Sequence, residues 1–229
     1  LCYVRRSQKY KGVGTQMTAV IFAGGIIKRT DFIDIDEIKS ADLVICADRG
    51  YAYAQTLEIV PDIVMGDFDS YNGEVSGSFE VYRSIPEKDD TDTLLAVKTA
   101  IERGCTEIRL YGALGARFDH AFANIQTLLY AYRKGCIITI IDSDNEITVQ
   151  GAGECRYLYR ENWYFSIFSL TDTAVIRSFS GVKYPLKDYS MTTEYPIGVS
   201  NEIIADEAVL SVDSGIILVV RSVNNSDVT

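Results

Sequence analysis

The segment Asp62-Ile63-Val64-Met65-Gly66-Asp67-Phe68-Asp69-Ser70 joins a short apolar run to a glycine and two carboxylates. The apolar run predicts a buried β-strand, and the glycine predicts a turn at its end. Residues i and i+2 of an extended segment point to the same face, so we expect Asp67 and Asp69 to point together. Such close like charges repel each other unless a cation or a shared proton lies between them. Taken alone, the segment would also fit a solvated acidic turn.

Two later segments repeat this arrangement of aspartates after a predicted strand. Lys88-Asp89-Asp90-Thr91-Asp92 follows a strand predicted for residues 79–84, and Gly115-Ala116-Arg117-Phe118-Asp119-His120 follows one predicted for residues 107–112. In an open α/β sheet the ligand crevice lies outside the carboxyl ends of the strands, so these aspartates and Asp48 could converge there. Magnesium prefers oxygen ligands and is usually held by one or two carboxylates together with substrate phosphates. The pattern therefore indicates a site for magnesium and phosphate.

Basic side chains beside these aspartates would complete a phosphate site. Arg117, Lys88 and Arg49 are the candidate cations for phosphate oxygens. The chain contains no Walker loop, no G-x-S-x-G elbow and no protein-kinase signature. If the protein uses ATP, it does so with a less common fold.

The predicted helix starts allow a structural role beside the functional one. Asp119 could cap a helix near His120, and Asp90 or Thr91 could cap the helix before it. Helix starts also bind anions through free N–H groups, so the two roles do not exclude each other. His120, the only histidine, could act as a general base, although orienting a carboxylate is the favoured role for it.

The order of the predicted elements divides the chain into two domains. Residues 17–145 alternate strands and helices, which indicates an α/β domain with a mostly parallel, Rossmann-like sheet. Residues 146–229 contain short alternating or β-branched segments joined by turns, which predicts an all-β sandwich. Residues 1–16 are basic and without pattern, and we expect them to be an extension outside the fold. The helix after Asp119 is expected to carry its apolar stripe on Phe122, Ile125, Leu129 and Tyr132.

Composition narrows the class of protein. The 229 residues carry a net charge of −10, which argues against binding to nucleic acid or to an anionic membrane, because both need clustered lysine and arginine. The five cysteines are widely spaced and lack a C-x-x-C pair, so neither a disulfide framework nor a zinc site is indicated. No apolar run is long enough to span a membrane. We therefore expect a cytoplasmic protein.

The motifs, taken in order, resemble those of bacterial thiamine pyrophosphokinases. The matching motifs are A-D-R-G at 47–50, G-D-F-D-S at 66–70, K-D-D-T-D at 88–92, G-A-R-F-D-H at 115–120 with Asn124, G-V-K-Y-P-L at 181–186 and S-N-E at 200–202. The resemblance runs from about Met17 to the C-terminus. It implies an α/β nucleotide-binding domain followed by a β-sandwich. It also implies transfer of pyrophosphate from ATP to the hydroxyl of thiamine, giving thiamine diphosphate and AMP with Mg²⁺.

The resemblance and the pattern together give a set of expected site residues. The catalytic residues are expected to be Asp67, Asp69, Asp92 and Asp119, with Asp67, Asp69 and Asp92 as metal ligands. The expected ATP and phosphate contacts are Asp48, Arg49, Gly50, Lys88, Asp89, Thr91, Arg117, His120 and Asn124. The resemblance implies that Tyr184 stacks on thiamine, that Ser200 and Asn201 make polar contacts to it, and that a homodimer shares this site between subunits. Arg49 departs from the family, in which many members have glycine at this position.

Several alternatives remain at this stage. A D-x-D motif after a strand is also the nucleophile arrangement of haloacid-dehalogenase-like phosphatases, in which Asp67 would attack phosphorus. A module that binds a nucleotide or vitamin without turnover is a second alternative. If the protein is a thiamine pyrophosphokinase, either Asp92 or Asp69 would accept the hydroxyl proton of thiamine.

Overall fold

The computed structural model describes residues 16–66, 77–83, 90–115 and 117–224. The described chain forms two compact units, residues 16–143 and 144–224. The sequence placed a domain boundary two residues later, after residue 145. In these ranges no helix combines the length and the hydropathy needed to cross a membrane.

The first unit is a parallel sheet with connecting helices. Its elements are β1 (Met17–Phe22), α1 (Ile35–Lys39), β2 (Leu43–Ala47), α2 (Gly50–Thr56), β3 (Ile63–Gly66), β4 (Glu80–Arg83), α3 (Asp92–Glu102), β5 (Cys105–Tyr111), α4 (Phe118–Arg133) and β6 (Ile137–Ile141). The strand order is β6-β5-β1-β2-β3-β4, and each neighbouring pair is parallel. The alternation of strands and helices in the sequence predicts a sheet of this kind.

The strands of the first unit form because their residues are almost continuously apolar. All residues of β2 and β3 are buried, as expected for strands covered on both faces. On one face, Val20 and Phe22 of β1 and Val44 of β2 pack with Ala54 of α2. Helix α3 packs against β1, β2, β3 and β5. The packed sheet thus supports the loops that leave the ends of its strands.

The strand order places a topological switch point between β1 and β5. From β1 the chain proceeds through β2, β3 and β4 on one side, and then returns to β5 on the other side of β1. The loops that leave these two neighbouring strands therefore run in opposite directions. In open α/β sheets the crevice at such a point is where ligands bind.

The second unit consists of antiparallel strands. They are β7 (Asn145–Gln150), β8 (Gly153–Leu158), β9 (Trp163–Ser169), β10 (Thr173–Ser180), β11 (Leu186–Thr192), β12 (Asn201–Glu202), β13 (Glu207–Ser214) and β14 (Ile217–Val223). One set has the order β12-β9-β14-β7 and the other the order β11-β10-β13-β8. Every neighbouring pair within these sets is antiparallel.

Both sets of strands contribute to one hydrophobic core. The Phe165 ring of β9 lies between Tyr157 of β8, at a centroid distance of 4.8 Å, and Phe179 of β10, at 5.3 Å. Gln150 of β7 adds a buried polar link, because its Oε1 accepts from the Tyr157 hydroxyl at 2.9 Å. Its Nε2 donates to the Leu210 carbonyl of β13 at 2.9 Å. These bonds satisfy polar groups whose burial would otherwise be costly.

The only tryptophan lies beside a charged cluster of the second unit. The guanidinium carbon of Arg160 is 4.7 Å from the Trp163 ring centroid, and that of Arg221 is 6.0 Å away. Glu146 pairs with both arginines, at 2.9 Å and 3.7 Å respectively. Arg221 is buried and also donates to the Leu158 carbonyl at 2.9 Å. The carboxylate and the carbonyl compensate the burial of the Arg221 charge.

The structure departs from the predicted elements in helix α4 and in short segments. Phe122 is 54% exposed, whereas the buried residues of α4 are Asn124, Thr127, Leu128 and Ala131. The predicted stripe is therefore wrong at Phe122, because a different face of α4 is buried. The polar side chains of Asn124 and Thr127 on that face donate to the Ala113 and Ala123 carbonyls. The sequence did not predict α1, β11 or β12, which are short or rich in polar residues.

Candidate functional site

The loops after β1 and β5 are joined by backbone hydrogen bonds at the switch point. Ala23 N–H donates to the Tyr111 carbonyl at 2.8 Å, and Gly25 N–H donates to the Gly112 carbonyl at 2.9 Å. An added Cβ on Gly25 would lie 2.3 Å from the Gly112 oxygen, and one on Gly112 would lie 2.6 Å from the Ala23 oxygen. Gly112 also has a φ of 67°, in the region that favours glycine. The junction of the two loops thus requires glycine on both sides.

Asp48 lies directly against the loop after β1. A Cβ on Gly24 would come within 2.5 Å of Asp48 Oδ2. Asp48 itself has a φ of 53°, and its N–H donates to the Met65 carbonyl at 2.8 Å. Non-glycine residues in this left-handed region are uncommon and cluster at functional sites. The carboxylate of Asp48 is therefore fixed at the end of β2, next to the switch point.

The two residues after Asp48 have different environments. Arg49 precedes α2 as its N-cap residue and is exposed. Gly50 is the first residue of α2 and is buried. Both residues are predicted nucleotide contacts. The Arg49 side chain is exposed, whereas Gly50 could contribute only its backbone.

Arg117, Asp119 and His120 lie together at the start of α4. Arg117 Nη2 contacts Asp119 Oδ2 at 2.5 Å, and Arg117 Nε contacts Oδ1 at 3.2 Å. Asp119 Oδ1 also accepts from the His120 N–H at 2.9 Å. The hydrogen bond from Arg117 lowers the pKa of the Asp119 carboxyl, and the same bond raises the pKa of Arg117. The exposed pair is thus fully charged and open to a competing anion or cation.

Asn124 is buried, and its side chain is hydrogen-bonded to the backbone of the loop after β5. Its side chain is 5% exposed, and its Nδ2 donates to the Ala113 carbonyl at 2.7 Å. The sequence named Asn124 as an ATP contact. In the structure it connects helix α4 to the loop after β5.

The start of α3 shows the capping role that the sequence left open. Thr91 is the N-cap residue, and its Oγ1 accepts from the Leu94 N–H at 3.1 Å. Asp90 instead pairs with Lys98 at 2.5 Å. Asp92 is the first residue of the helix and is half-buried. The capping interaction fixes the direction in which α3 leaves the preceding loop.

Four predicted site residues lie outside the described residues, namely Asp67, Asp69, Lys88 and Asp89. Of the three predicted metal ligands, only Asp92 is described. Among the residues that the structure describes, no group of three or more histidine, cysteine, aspartate or glutamate side chains is arranged to hold a metal ion. The catalytic and metal assignments therefore stay predictions.

In the second unit, the Tyr184 side chain is exposed, and Asn201 is hydrogen-bonded to the Tyr184 backbone. The Tyr184 side chain is 61% exposed, whereas Asn201 is 6% exposed. Asn201 Oδ1 accepts from the Tyr184 N–H at 3.0 Å, and its Nδ2 donates to the Tyr184 carbonyl at 2.9 Å. This pair of bonds fixes the backbone that carries the aromatic ring. No feature of the sequence distinguishes this role from a direct ligand contact.

Ser200 is exposed and lies next to Asn201. It has a φ of 55°, and its N–H donates to Ser166 Oγ at 3.0 Å. Nearby, Lys183 Nζ contacts Glu202 Oε1 at 2.8 Å and lies 5.8 Å from the Tyr184 ring centroid. A cation at this distance from an aromatic face is attracted to its π electrons. The exposed Tyr184 ring therefore has a cationic neighbour, the ammonium group of Lys183.

Two family models match the chain in succession. Residues 36–140 match the catalytic domain of thiamin pyrophosphokinase. Residues 144–217 match the vitamin B1 binding domain of thiamin pyrophosphokinase.

Individual relatives match over most of the chain. Thiamine pyrophosphokinase of Bacillus subtilis is 31% identical over an alignment of 188 residues, which covers 79% of this chain and 87% of the relative. Thiamin pyrophosphokinase 1 of Caenorhabditis elegans is 24% identical over 173 residues, 72% of this chain and 71% of the relative.

Solved structures agree with this similarity. The crystal structure of the Bacillus subtilis thiamine pyrophosphokinase has a TM-score of 0.80 at 29% identity, covering 90% of this chain and 99% of that one. The Geobacillus thermodenitrificans thiamin pyrophosphokinase gives 0.79 at 29% identity, with coverages of 92% and 99%. The Candida albicans enzyme, at 14% identity and a TM-score of 0.75 over 97% and 99% of the two chains, shares the fold.

Proposed function

The chain belongs to the thiamine pyrophosphokinase family, and we propose that the loops after β1, β2 and β5 form its ATP site. The enzyme transfers pyrophosphate from ATP to the hydroxyl of thiamine, giving thiamine diphosphate and AMP. One observation carries the placement of ATP: the two glycine loops and the Asp48 carboxylate meet at the switch point of the sheet. Family membership does not favour a phosphatase with Asp67 as nucleophile or a binding module without turnover.

The triphosphate of ATP would contact the start of α4. The transfer requires the thiamine hydroxyl to lie in line with the β-phosphorus, with AMP as the leaving group. Arg117 presents five N–H donors in a planar fork that matches phosphate oxygens. Its partner Asp119 occupies this fork in the structure, so ATP would compete with Asp119 for the guanidinium. Lys88 would supply a second cation.

Mg²⁺ fits the chemistry of the predicted ligands, which are the carboxylates Asp67, Asp69 and Asp92. When bound, the ion would neutralise phosphate charge, a role suited to carboxylate ligands that leave positions for water and substrate. Asp92 lies at the first position of α3, where Thr91 fixes the helix start. The proton of the thiamine hydroxyl would pass to Asp92 or Asp69.

Tyr184 would hold the cationic thiazolium ring of thiamine. Its exposed aromatic face and the buried Asn201 clamp behind its backbone support this role. We assign Ser200 a polar contact and Asn201 the positioning of Tyr184. The two antiparallel sheets around this site share one core, which supports a β-sandwich layout.

The thiamine site would be shared between the subunits of a homodimer. Exposed apolar side chains in both units support such an interface. In the first unit these are Phe118, 81% exposed, and Phe122, and in the second unit Tyr184, Tyr195, Ile197 and Val199. Contiguous apolar patches on a protein surface often mark protein interfaces, and the Phe118 and Phe122 rings are in contact, with centroids 6.2 Å apart. In a two-fold dimer, the second unit of each subunit would complete the site of the other.

Subunit mixing tests the shared site. Arg117→Ala and Tyr184→Ala should each be nearly inactive alone, because each removes one half of every site. After the two variants are unfolded together and refolded, random pairing should restore about a quarter of the wild-type activity, since half of the dimers then contain one intact site. Separate refolding of each variant is the control. A mixture no more active than its components, or a monomer by light scattering, would contradict the shared site.

Product analysis tests the reaction itself. Incubation of the full chain with ATP, Mg²⁺ and thiamine is expected to yield thiamine diphosphate and AMP in equal amounts by mass spectrometry. A phosphatase would instead release phosphate without thiamine, and a binding module would leave both substrates unchanged. The same reactions with EDTA and with added Mn²⁺ test the metal requirement.

We also propose a cytoplasmic location, which the substrates and the thiols of the protein support. The cysteines in the described ranges, Cys46, Cys105, Cys136 and Cys155, are free and buried. Burial raises the pKa of the Cys136 thiol to about 12, so this thiol stays protonated. Reduced thiols and the use of ATP support a cytoplasmic enzyme.

A further inference from the structure

Tyr53 of α2 reaches the loop after β1 with its hydroxyl. The hydroxyl donates to the Gly25 carbonyl at 2.9 Å and accepts from the Ile27 N–H at 3.0 Å. One side-chain atom thus satisfies a backbone acceptor and a backbone donor two residues apart. The Tyr53 ring packs against the hydrophobic cluster that contains Phe22 and Ala54. The hydroxyl is therefore fixed relative to the sheet and not to the loop alone.

The same loop is fixed on its other side by the loop after β5. Gly25 N–H donates to the Gly112 carbonyl at 2.9 Å. Asn124 holds the neighbouring Ala113 carbonyl at 2.7 Å from the buried face of α4. The peptide at Gly25 is thus bound through its N–H to one loop and through its carbonyl to Tyr53. Each of the two joined loops is thus bound by a side chain from a helix, Tyr53 of α2 or Asn124 of α4.

The position of this loop determines what surrounds Asp48. Gly24 lies so close to the Asp48 carboxylate that a Cβ there would be 2.5 Å from Oδ2. A displacement of Gly25 would carry Gly24 with it and change the space beside Asp48. The contact therefore connects the Tyr53 hydroxyl with a predicted nucleotide contact through two adjacent glycines.

We propose that Tyr53 is a positioning residue for ATP, which acts by holding the loop at residues 23–27 in the conformation that receives the nucleotide. This inference rests on the placement of ATP at the switch point proposed above. Tyr53 does not itself touch the reacting atoms. Its hydroxyl restrains the loop, because it replaces water as the hydrogen-bond partner of the Gly25 carbonyl and the Ile27 N–H.

The variant Tyr53→Phe removes the hydroxyl and leaves the ring in the core. The KM for ATP is expected to rise roughly three- to tenfold, as one clamp of two hydrogen bonds is lost. The KM for thiamine should be unchanged, because the second unit keeps its own contacts. Tyr130→Phe is the matched control, since it removes a hydroxyl from α4, where the ring lies near Lys98 and Lys134. The control should keep both KM values.

A purely structural role would give a different result. It would lower the melting temperature and the fraction of active enzyme, and so reduce the apparent kcat with both KM values unchanged. That outcome would overturn the proposal. Arg117→Ala is measured in parallel: if it lowers kcat/KM for ATP and Tyr53→Phe leaves the KM for ATP unchanged, the role of Tyr53 is wrong. If neither variant changes kcat/KM for ATP, the placement of ATP is wrong as well.

A measurement on the unmodified chain covers the case in which Tyr53→Phe does not fold. Hydrogen exchange of the backbone amides of residues 25–27 should slow when Mg²⁺ and a non-hydrolysable ATP analogue are added. Thiamine alone should leave their exchange unchanged. Equal exchange with and without the analogue would overturn the proposal, because a loop that receives the nucleotide must become less accessible.

Discussion

Replacing Arg117 with alanine is expected to lower kcat/KM for ATP by roughly 100- to 1,000-fold, the range found when one donor to a developing negative charge is removed. The planar guanidinium binds Asp119 through two nitrogens in the structure, and phosphate oxygens offer it the same geometry. Arg117→Lys should keep the charge and lose the paired donors, so its activity should lie between those of the wild type and alanine variant.

A matched control and a titration sharpen this prediction. Arg177 is 70% exposed and pairs with Asp213 at 2.7 Å, while Arg117 is 71% exposed. Arg177→Ala should therefore retain activity, because it removes an equally exposed ion pair from the second unit. Carboxyl NMR should show the pKa of Asp119 rising towards its ordinary value in Arg117→Ala, since Arg117 holds it low. In the wild type the ion pair is formed above the pKa of Asp119 and is lost as the pH falls through it.

An activity of Arg117→Ala within about twofold of the wild type would contradict this account, since removal of a transition-state donor costs far more. An unchanged pKa of Asp119 in that variant would contradict the ion pair itself.

Replacing Gly25 with alanine is expected to reduce activity by about 100-fold, the cost of displacing a catalytic group by about an ångström. The new Cβ would lie 2.3 Å from the Gly112 oxygen, which is backbone and cannot turn away. The loops after β1 and β5 would have to separate, and the hydrogen bond between them would break. The displacement would reach Asp48 through Gly24. Steady-state kinetics with both substrates would measure the loss.

Gly135→Ala is the control for general destabilisation. Gly135 follows α4 with a φ of 80°, and a Cβ there would meet no atom within 4 Å. Alanine should cost about 1 kcal/mol of stability through backbone strain and leave the kinetics unchanged. A Gly25→Ala enzyme as active as the Gly135→Ala enzyme would show that the junction of the two loops does not matter for the reaction.

The sequence predicted what depends on local chemistry. The apolar runs indicate β1, β2 and β3 because a strand covered on both faces needs almost every side chain apolar. The motif at residues 115–120 indicates a loop and a helix start, and in the structure α4 begins at Phe118. The ion pair of Arg117 with Asp119 could not be predicted, because the conformations of two exposed side chains depend on the loop backbone.

What the sequence could not predict depends on distant partners. Tyr53 is one of fifteen tyrosines, and its partners lie 26 and 28 residues earlier in the chain. Nothing local distinguishes it from a core residue. Asn124 and Asn201 are predicted ligand contacts, and the sequence does not show that both also bind backbone groups of neighbouring loops. Similarly, Phe122 follows the apolar period of α4 but lies outside its buried face, since burial depends on which side faces the sheet.

The tryptophan of the second unit gives this enzyme an optical signal from one half of the chain. Trp163 lies near the guanidinium groups of Arg160 and Arg221, and no other tryptophan is present in the sequence. Its emission therefore reports on the second unit, in which the Glu146 cluster lies. Fluorescence combined with helical circular dichroism, which comes from the first unit, can follow the two halves separately. The Gly25→Ala variant, whose new Cβ would meet the Gly112 oxygen in the first unit, should shift the dichroism transition before the emission.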